Sequence, residues 1–291
     1  MRAKPLRPSI IQRGAGAAFL APSLIGLAIF FVAPFVDVAR RSFTNTSGER
    51  FVGLDNYATV LGNDAFALAA GNTARFMLVC IPLLLALSLA IAVALRKATP
   101  FRRFMKASLL VPLAIPAFTA ALLIDVLFNA EGIVNGMLSA LGGEPAAWLS
   151  DDAALFVLVA DYVWRNLGYC VILWLAALSG IPASLYEAAR IDGAGALLTA
   201  RRITLPLVAP SCFVVATLAV INAFKVYREA YLVAGSYPPE SIYLVGHVFN
   251  NWFASLSVGK LAAGGVLLSL VLLAVVGLLF RAWGKQGGGR R

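Results

Sequence analysis

Charged residues are scarce in this chain, and several kinds of catalytic site are missing with them. Asp, Glu, Lys and Arg make up 13% of the 291 residues, and there is a single histidine. The sequence has no G-x-x-x-x-G-K-[ST] phosphate loop, no H-E-x-x-H zinc motif and no G-x-S-x-G nucleophile motif. We therefore predict no catalytic residue and no enzyme activity, so any energy that the protein uses comes from another chain.

Cysteine is equally rare and is not arranged for a disulfide framework or a metal cluster. Cys80, Cys170 and Cys212 lie in three separate apolar runs, and no C-x-x-C pair occurs. A free cysteine is most often a small buried hydrophobe. We expect neither a metal site nor a cofactor.

Long apolar runs dominate the sequence, since 60% of the residues are hydrophobic. A helix needs about 20 apolar residues to cross a hydrocarbon core of about 30 Å. The first run is too long in its apolar part for a signal peptide, and no small-residue cleavage site follows it. The sequence predicts an all-α integral membrane protein with six transmembrane helices. They are expected at residues 15–38, 72–95, 107–128, 153–178, 206–226 and 260–280.

The net charge of +10 is explained by where the basic residues lie in the sequence. Sixteen of the 24 Lys and Arg fall in the N-terminal tail 1–14, the loop 96–106, the insert 180–205 and the C-terminal end after residue 280. The loop 129–152 carries four acidic residues and no basic one. By the positive-inside rule, both tails, 1–14 and 282–291, are expected on the cytoplasmic side of the membrane. The basic excess then faces anionic membrane lipid, and we expect no nucleic acid partner.

The segment 228–259 combines aromatic and polar residues, and it contains the one histidine, His247. We expect it to lie along the outer interface as a short helix after Pro238 and Pro239. A solvated loop position with an ordinary pKa is the favoured interpretation of His247, ahead of a proton switch or a ligand.

The insert between the fourth and fifth runs, LYEAARIDGAGALLTARRITLP, mixes charge with glycine. Ser184 and Glu187 have the spacing of a capping box, which predicts a helix from about residue 185. Gly193 favours a turn, because glycine adopts the left-handed conformation that ends helices. A second short helix is expected over 196–203, so residues 182–205 form a helix-turn-helix.

The first helix of this insert has the composition of a docking surface. The short side chains of Ala188 and Ala189 allow a partner to approach the helix closely. Glu187, Arg190 and Ile191 place charge and one apolar side chain on one face. From the residues alone, a solvated loop whose arginines meet lipid headgroups is an equal alternative.

Three blocks of the insert, EAA at 187–189, DGA at 192–194 and ITLP at 203–206, resemble the EAA loop of bacterial ABC importer permeases in sequence and spacing. Three other segments resemble the carbohydrate uptake permeases related to the maltose and glycerol-3-phosphate systems. They are FVGLDNYATVL at 51–61, LFNAEGIVNGMLSALG at 127–142 and RNLGY at 165–169. The resemblance runs from about Phe19 to Phe280. It implies the type I ABC importer permease fold, with the first helix at 15–38 followed by a transmembrane domain over 68–281. It also implies that the chain lies in the cytoplasmic membrane of a bacterial cell.

The resemblance also implies partners and a coupling site. The partners are a second permease subunit, two ATP-binding-cassette ATPase subunits and an extracytoplasmic solute-binding protein. The loop is expected to dock in a cleft of the ATPase through five residues: Glu187, Ala188, Ala189, Asp192 and Gly193. Leu197 and Ala200 stand where the family has bulky aromatic residues, which implies a shallower fit at the second helix.

Charged residues inside a span are costly and are candidates for function. Asp161 and Arg165 are one helical turn apart, so we expect an ion pair within the fourth span. Lys225, Arg228 and Glu229 fall near the outer end of the fifth span, where long side chains are expected to reach the interface.

Depth along the helices suggests a solute pathway. At about 1.5 Å per residue, Arg165 lies roughly 22 Å from the cytoplasmic end of the fourth span near Gly180, and Asn222 lies roughly 24 Å from the cytoplasmic end of the fifth span at Pro206, so the two are at similar heights. The sugar-contact pattern of the resembled family falls at this level on Trp164, Gly168, Asn222 and Lys225. The family pattern has asparagine at the positions of Trp164 and Lys225, so both the identity of the sugar and direct contact with it stay open.

Other functions remain as alternatives. Lys225 and Arg228 suit a phosphate, which leaves glycerol-3-phosphate or another polyol phosphate as a possible solute. An ion-driven secondary transporter is less favoured, because the sequence shows no internal repeat and its acidic residues lie toward span ends. A membrane-embedded enzyme lacks any constellation of nucleophile, metal or acid and base.

Overall fold

The fold is described from a computed structural model, which covers residues 10–96 and 99–283. Most of the predicted tail 1–14, most of the tail 282–291 and two residues of the basic loop 96–106 lie outside the described residues. The described part of the chain is helical, with one isolated β-bridge between Thr44 and Phe51.

The described residues contain fifteen α-helices. In chain order they are α1 Ile10–Leu27, α2 Ala33–Arg41, α3 Asp55–Leu61, α4 Asp64–Ala94, α5 Pro100–Ser108, α6 Val111–Ala114, α7 Ala117–Phe128, α8 Ile133–Ala140, α9 Asp151–Ser179, α10 Ala183–Ile191, α11 Ala196–Thr199, α12 Leu205–Ala223, α13 Tyr227–Ala234, α14 Val245–Ala254 and α15 Val258–Trp283.

Six helical stretches of the described chain are long and apolar enough to cross a membrane, which confirms the predicted all-α fold with six spans. Five of them contain most of the predicted runs, and the third begins about ten residues later than expected. Their bounds are Phe19–Arg41, Asp64–Ala94, Ala117–Ala140, Ala153–Ser179, Ala196–Ala234 and Val258–Trp283.

The third predicted run, 107–128, is not one helix. Two prolines divide it into the end of α5, the short α6 and α7. Ile115, which precedes Pro116, has the extended backbone (φ −75°, ψ 123°) that a following proline favours. The break leaves the backbone carbonyl of Ile115 without a helical partner, and this carbonyl is used by the site described below.

Two π-helical turns stand just ahead of prolines within spans. One covers Ala28–Val32 before Pro34, and the other covers Ala200–Thr204 before Pro206. Proline has no N–H to donate to the preceding turn, so a wider turn at this point keeps the helix continuous. The insert therefore runs without interruption from α11 into α12.

The described residues divide into two compact units. In the first, residues 10–61 with 252–269, the side chain of Asn56 donates to the backbone oxygens of Ser42 and Thr44, at 3.0 and 2.8 Å. A Cβ added to Gly259 would lie 2.7 Å from the side-chain oxygen of Asn56, so only glycine lets the chain pass this close. The segment FVGLDNYATVL thus fixes the turn that follows the first span.

The second unit, residues 62–251 with 270–283, contains the main hydrophobic core. Helix α9 lies at its centre and packs against α4 and α12. Trp174 of α9 donates its indole N–H to the hydroxyl of Ser88 on α4, at 3.0 Å, and the Tyr162 hydroxyl donates to the backbone oxygen of Ala219 on α12, at 2.7 Å. These buried bonds fix the rotation of α9 between its two neighbours.

Candidate functional site

The insert folds into a helix closed by a complete C-terminal cap. Gly193 follows α10 with φ +73°, the left-handed region that glycine enters at least cost. Its N–H donates to the oxygen of Arg190 at 3.2 Å, and the N–H of Ala194 donates to the oxygen of Ala189 at 2.8 Å. These two bonds are those of a Schellman motif, so the turn after α10 has a single defined shape.

Two details of the predicted helix-turn-helix are wrong. Helix α10 begins at Ala183 after Pro182, and no side chain caps it, so Ser184 and Glu187 do not form the expected capping box. The second helix is also not separate, because α11 continues through the π turn into the fifth span.

The surface of the insert is open and partly apolar. Ala189 is buried against the rest of the second unit, whereas Glu187, Ala188, Asp192 and Gly193 are exposed. Two large apolar side chains also project from the insert: Ile191 is 86% exposed and Leu197 84%. The stretch Ala196–Ala234 is about 58 Å long if straight at 1.5 Å per residue, well beyond a 30 Å hydrocarbon core, so one of its ends extends outside the membrane.

Helix α10 is held to two spans by one tyrosine. The guanidinium of Arg96, at the end of the second span, lies 3.9 Å from the ring centre of Tyr186 in a cation–π contact. The Tyr186 hydroxyl is 3.2 Å from the hydroxyl of Thr204, which is buried at the start of the fifth span. The Tyr186 clamp, formed by Arg96, Tyr186 and Thr204, therefore connects α10 to both spans. It was not predicted from the sequence.

A polar cavity of about 190 Å³ lies within the second unit, among α6, α9, α12 and α13. Arg165 on α9 forms an ion pair with Glu229 on α13, and it also donates to the carbonyl oxygen of Ile115 at 3.1 Å. The expected ion pair between Asp161 and Arg165 is wrong. Arg165 instead bonds to Glu229 and to the carbonyl of Ile115. Together these two acceptors satisfy more of its N–H donors than Asp161 alone would.

Asn222 and Lys225 border this cavity, and Tyr169 connects them to α9. The Asn222 amide donates to the Tyr169 hydroxyl at 3.0 Å, and the Lys225 ammonium donates to the Asn222 carbonyl oxygen at 3.0 Å. Lys225 and Arg228 are exposed, whereas Glu229 is only 5% exposed, so the expectation that Glu229 reaches the interface is wrong.

Trp164 and Gly168 lie away from Asn222 and Lys225. Trp164 lines a separate, mostly apolar cavity of about 370 Å³ between α7 and α9. A Cβ added to Gly168 would lie 1.9 Å from the carbonyl oxygen of Leu109, so this glycine allows α9 to pass directly against the end of α5. Of the four residues predicted for the solute pathway, the structure brings Asn222 and Lys225 together, and their role stays a prediction.

His247 is not a solvated loop residue, as the sequence suggested. It lies in α14, is fully buried, and packs against the rings of Tyr227, Tyr231 and Tyr243. Burial lowers its pKa to about 4, while its Nδ1 accepts the backbone N–H of Leu244 at 3.1 Å. The ring is therefore neutral at physiological pH and serves as a packing element of the second unit.

Comparison with known proteins gives consistent matches over most of the chain. The family described as "binding-protein-dependent transport system inner membrane component" matches residues 85–285. The arabinooligosaccharides transport system permease protein AraP of Bacillus subtilis (strain 168) is 32% identical over 277 residues, which cover 91% of this chain and 87% of that protein. The sulfoquinovosyl glycerol transport system permease protein SmoG of Agrobacterium fabrum is 31% identical over 90% of this chain and 88% of that protein.

A solved structure shares the fold. A chain in the crystal structure of a bacterial ABC transporter involved in the import of the acidic polysaccharide alginate superposes with a TM-score of 0.82. The match covers 95% of this chain and 97% of that chain, at 21% sequence identity. The predicted ABC importer permease fold is thereby confirmed.

Proposed function

The chain belongs to the family of binding-protein-dependent transport system inner membrane components, and on this premise we propose that it is the permease subunit of an ATP-binding-cassette importer for a sugar or oligosaccharide. The observation that carries the proposal is the exposed helix α10, closed by Gly193 and lying inside the matched residues 85–285. Two relatives are named for arabinooligosaccharides and sulfoquinovosyl glycerol, which supports a saccharide as the solute.

Helix α10 is proposed to dock in a separate ATPase subunit. Its charged side chain Glu187 and its apolar side chain Ile191 are exposed beside the turn at Asp192 and Gly193. An exposed apolar side chain beside charge is typical of a protein contact surface. Closure of two such ATPase subunits on ATP would move α10, and the Tyr186 clamp would pass that movement to the second and fifth spans.

The remaining partners follow from the same proposal. A second permease subunit would complete the translocation pathway, and an extracytoplasmic binding protein would deliver the solute. The assembly would exchange outward-facing and inward-facing states, whose balance is set by ATP on one side and the loaded binding protein on the other. Lys225 and Arg228, exposed at the cavity, keep a polyol phosphate as the second candidate solute.

A gene deletion tests the proposal directly. Cells that lack this chain are expected to lose uptake of one radiolabelled saccharide from a panel of neutral and acidic mono-, di- and oligosaccharides, and a plasmid copy should restore it. Loss confined to sn-glycerol 3-phosphate would favour the second candidate. Unchanged uptake of every saccharide and polyol phosphate in the panel would contradict both.

Membrane orientation gives an independent prediction. Reporter fusions at residues 100 and 195 and at the C-terminus are expected to read cytoplasmic, and fusions near residues 55, 140 and 240 external. The reason is the excess of Lys and Arg around the first group. An external reading at residue 195 would place α10 on the wrong side for any ATPase and would overturn its coupling role.

A further inference from the structure

Two residues that line the polar cavity, Asp161 and Glu229, each have one buried carboxylate oxygen without a hydrogen-bond donor. Asp161 is 7% exposed and its Oδ2 has no partner among the described residues. Glu229 is 5% exposed, and although its Oε1 pairs with Arg165, its Oε2 also has none. A buried carboxylate oxygen without a donor is costly, so this arrangement favours a ligand that supplies donors.

The same cavity has two exposed cations at its edge. Lys225 and Arg228 both line it, and neither is paired with a carboxylate in the part of the chain that the structure describes. Lys225 donates to the Asn222 carbonyl oxygen, and the Nε of Arg228 donates weakly to the backbone oxygen of Lys225 at 3.5 Å. An ammonium and a guanidinium side by side leave several N–H groups for an anion.

The size of the cavity limits what part of a solute it can hold. Its volume of about 190 Å³ is far above the roughly 10–15 Å³ that one water molecule needs by the same measure. The cavity therefore has room for a sugar unit.

We propose that this cavity binds a sugar acid, a saccharide unit that carries a carboxylate, with its hydroxyls donating to Asp161 and Glu229 and its anion held by Lys225 and Arg228. The inference rests on the proposed function, since it names the solute class of that importer. Hydroxyl groups supply the donors that the two carboxylate oxygens lack, and an anionic group supplies the acceptors that the two cations lack. A neutral sugar leaves the cations unmatched, and a small polyol phosphate supplies few hydroxyls for both carboxylates.

Uptake by cells that lack this chain, complemented with variants, tests the solute class. The probes are di- and trisaccharides of galacturonate, glucuronate and mannuronate, each beside its neutral counterpart, together with sn-glycerol 3-phosphate. With the wild-type chain, at least one acidic saccharide should enter faster than its neutral counterpart. Lys225→Gln combined with Arg228→Gln should lower that acidic uptake at least ten-fold and lower the ratio of acidic to neutral uptake.

Matched variants separate recognition from folding. Arg50→Gln removes an exposed cation that does not line the cavity, and it should leave the ratio of acidic to neutral uptake unchanged. Asp161→Asn keeps the shape of the side chain but replaces one acceptor oxygen by an N–H₂ donor, and it should lower uptake of the acidic saccharide at least ten-fold at an unchanged level of chain in the membrane.

The outcomes distinguish this inference from the function on which it rests. Uptake of a neutral saccharide alone, insensitive to the two cation variants, would overturn the sugar-acid assignment and keep the chain a sugar permease. Uptake of sn-glycerol 3-phosphate alone would also overturn it. Absence of any difference between the deletion strain and the complemented strain would overturn the permease function itself.

Discussion

Replacing Gly193 by valine is expected to abolish solute-stimulated ATP hydrolysis by the assembled transporter, and uptake with it. The backbone at Gly193 has φ +73°, where a residue with a Cβ is strained by about 1–2 kcal/mol and a β-branched residue by more. No heavy atom lies within 4 Å of an added Cβ, so the effect comes from the backbone and not from crowding. Relief of the strain breaks the two bonds of the Schellman motif and displaces α10, and a loss of at least about ten-fold in stimulated hydrolysis should follow.

Gly195 offers a matched control in the same turn. Its φ of −67° is open to every residue, and an added Cβ there also meets nothing within 4 Å. Gly195→Val should therefore keep stimulated hydrolysis close to that of the wild type. The measurement is ATPase activity of the purified complex in lipid, with and without the loaded binding protein. Equal activity of the two valine variants would show that the shape of this turn does not matter for coupling.

Glu187→Lys addresses the charge of the same surface. The side chain is exposed on α10 and makes no hydrogen bond in the described structure, so its replacement leaves the fold intact. If α10 docks in an ATPase cleft, the reversed charge should lower stimulated hydrolysis while insertion of the permease is unchanged. A merely solvated loop would instead show a change in the free energy of unfolding within about 0.5 kcal/mol and normal stimulation.

The spans and the turn at Gly193 could be predicted because both depend on local sequence. A run of about 20 apolar residues is sufficient to identify a membrane-spanning helix, whatever its neighbours are. A helix that ends in Asp-Gly needs only the conformational freedom of glycine. The break of the third run at Pro112 and Pro116 could not be predicted with the same certainty, because membrane helices often continue past proline when neighbours satisfy the freed backbone groups.

The sequence predicted which residues lie at the same height along their helices, but not which of them face the same cavity. Counting residues along two helices placed Arg165 and Asn222 at one level, and the structure has both of them at the same cavity. The rotation of α9 depends on which face meets α4 and α12, and its few polar residues do not by themselves mark that face. Trp164 lines a different cavity from Asn222, between α7 and α9, so the depth count alone did not show which side chains share a cavity.

Partners that are distant in the sequence were the hardest to predict. Arg165 and Glu229 are 64 residues apart, whereas Asp161 is one turn away, and local spacing rules favour the nearer carboxylate. The burial of His247 was missed for a similar reason, because the three tyrosines that enclose it come from two neighbouring segments of the chain. In both cases tertiary packing outweighs the local preference.

Replacing Arg165 by methionine is expected to destabilise the second unit by about 3–5 kcal/mol, the usual cost of leaving one member of a buried ion pair without its partner. The side chains of Arg165 and Glu229 are 17% and 6% exposed, so the pair is mostly shielded from water. Glu229 would lose the donor to its Oε1, while its Oε2 already has none. The carbonyl of Ile115 would lose its donor as well.

The double variant Arg165→Met with Glu229→Met should recover most of this loss, because two apolar side chains of similar volume need no partner. The ion pair of Arg41 with Asp37 provides the control, since these side chains are 40% and 47% exposed and Arg41→Met should cost no more than about 1 kcal/mol. Unfolding of the purified chain in detergent, followed by circular dichroism across a denaturant series, measures all four proteins including the wild type. A single-variant cost at Arg165 as small as that at Arg41, or a double variant no more stable than Arg165→Met, would mean that the pair between α9 and α13 does not hold these helices together.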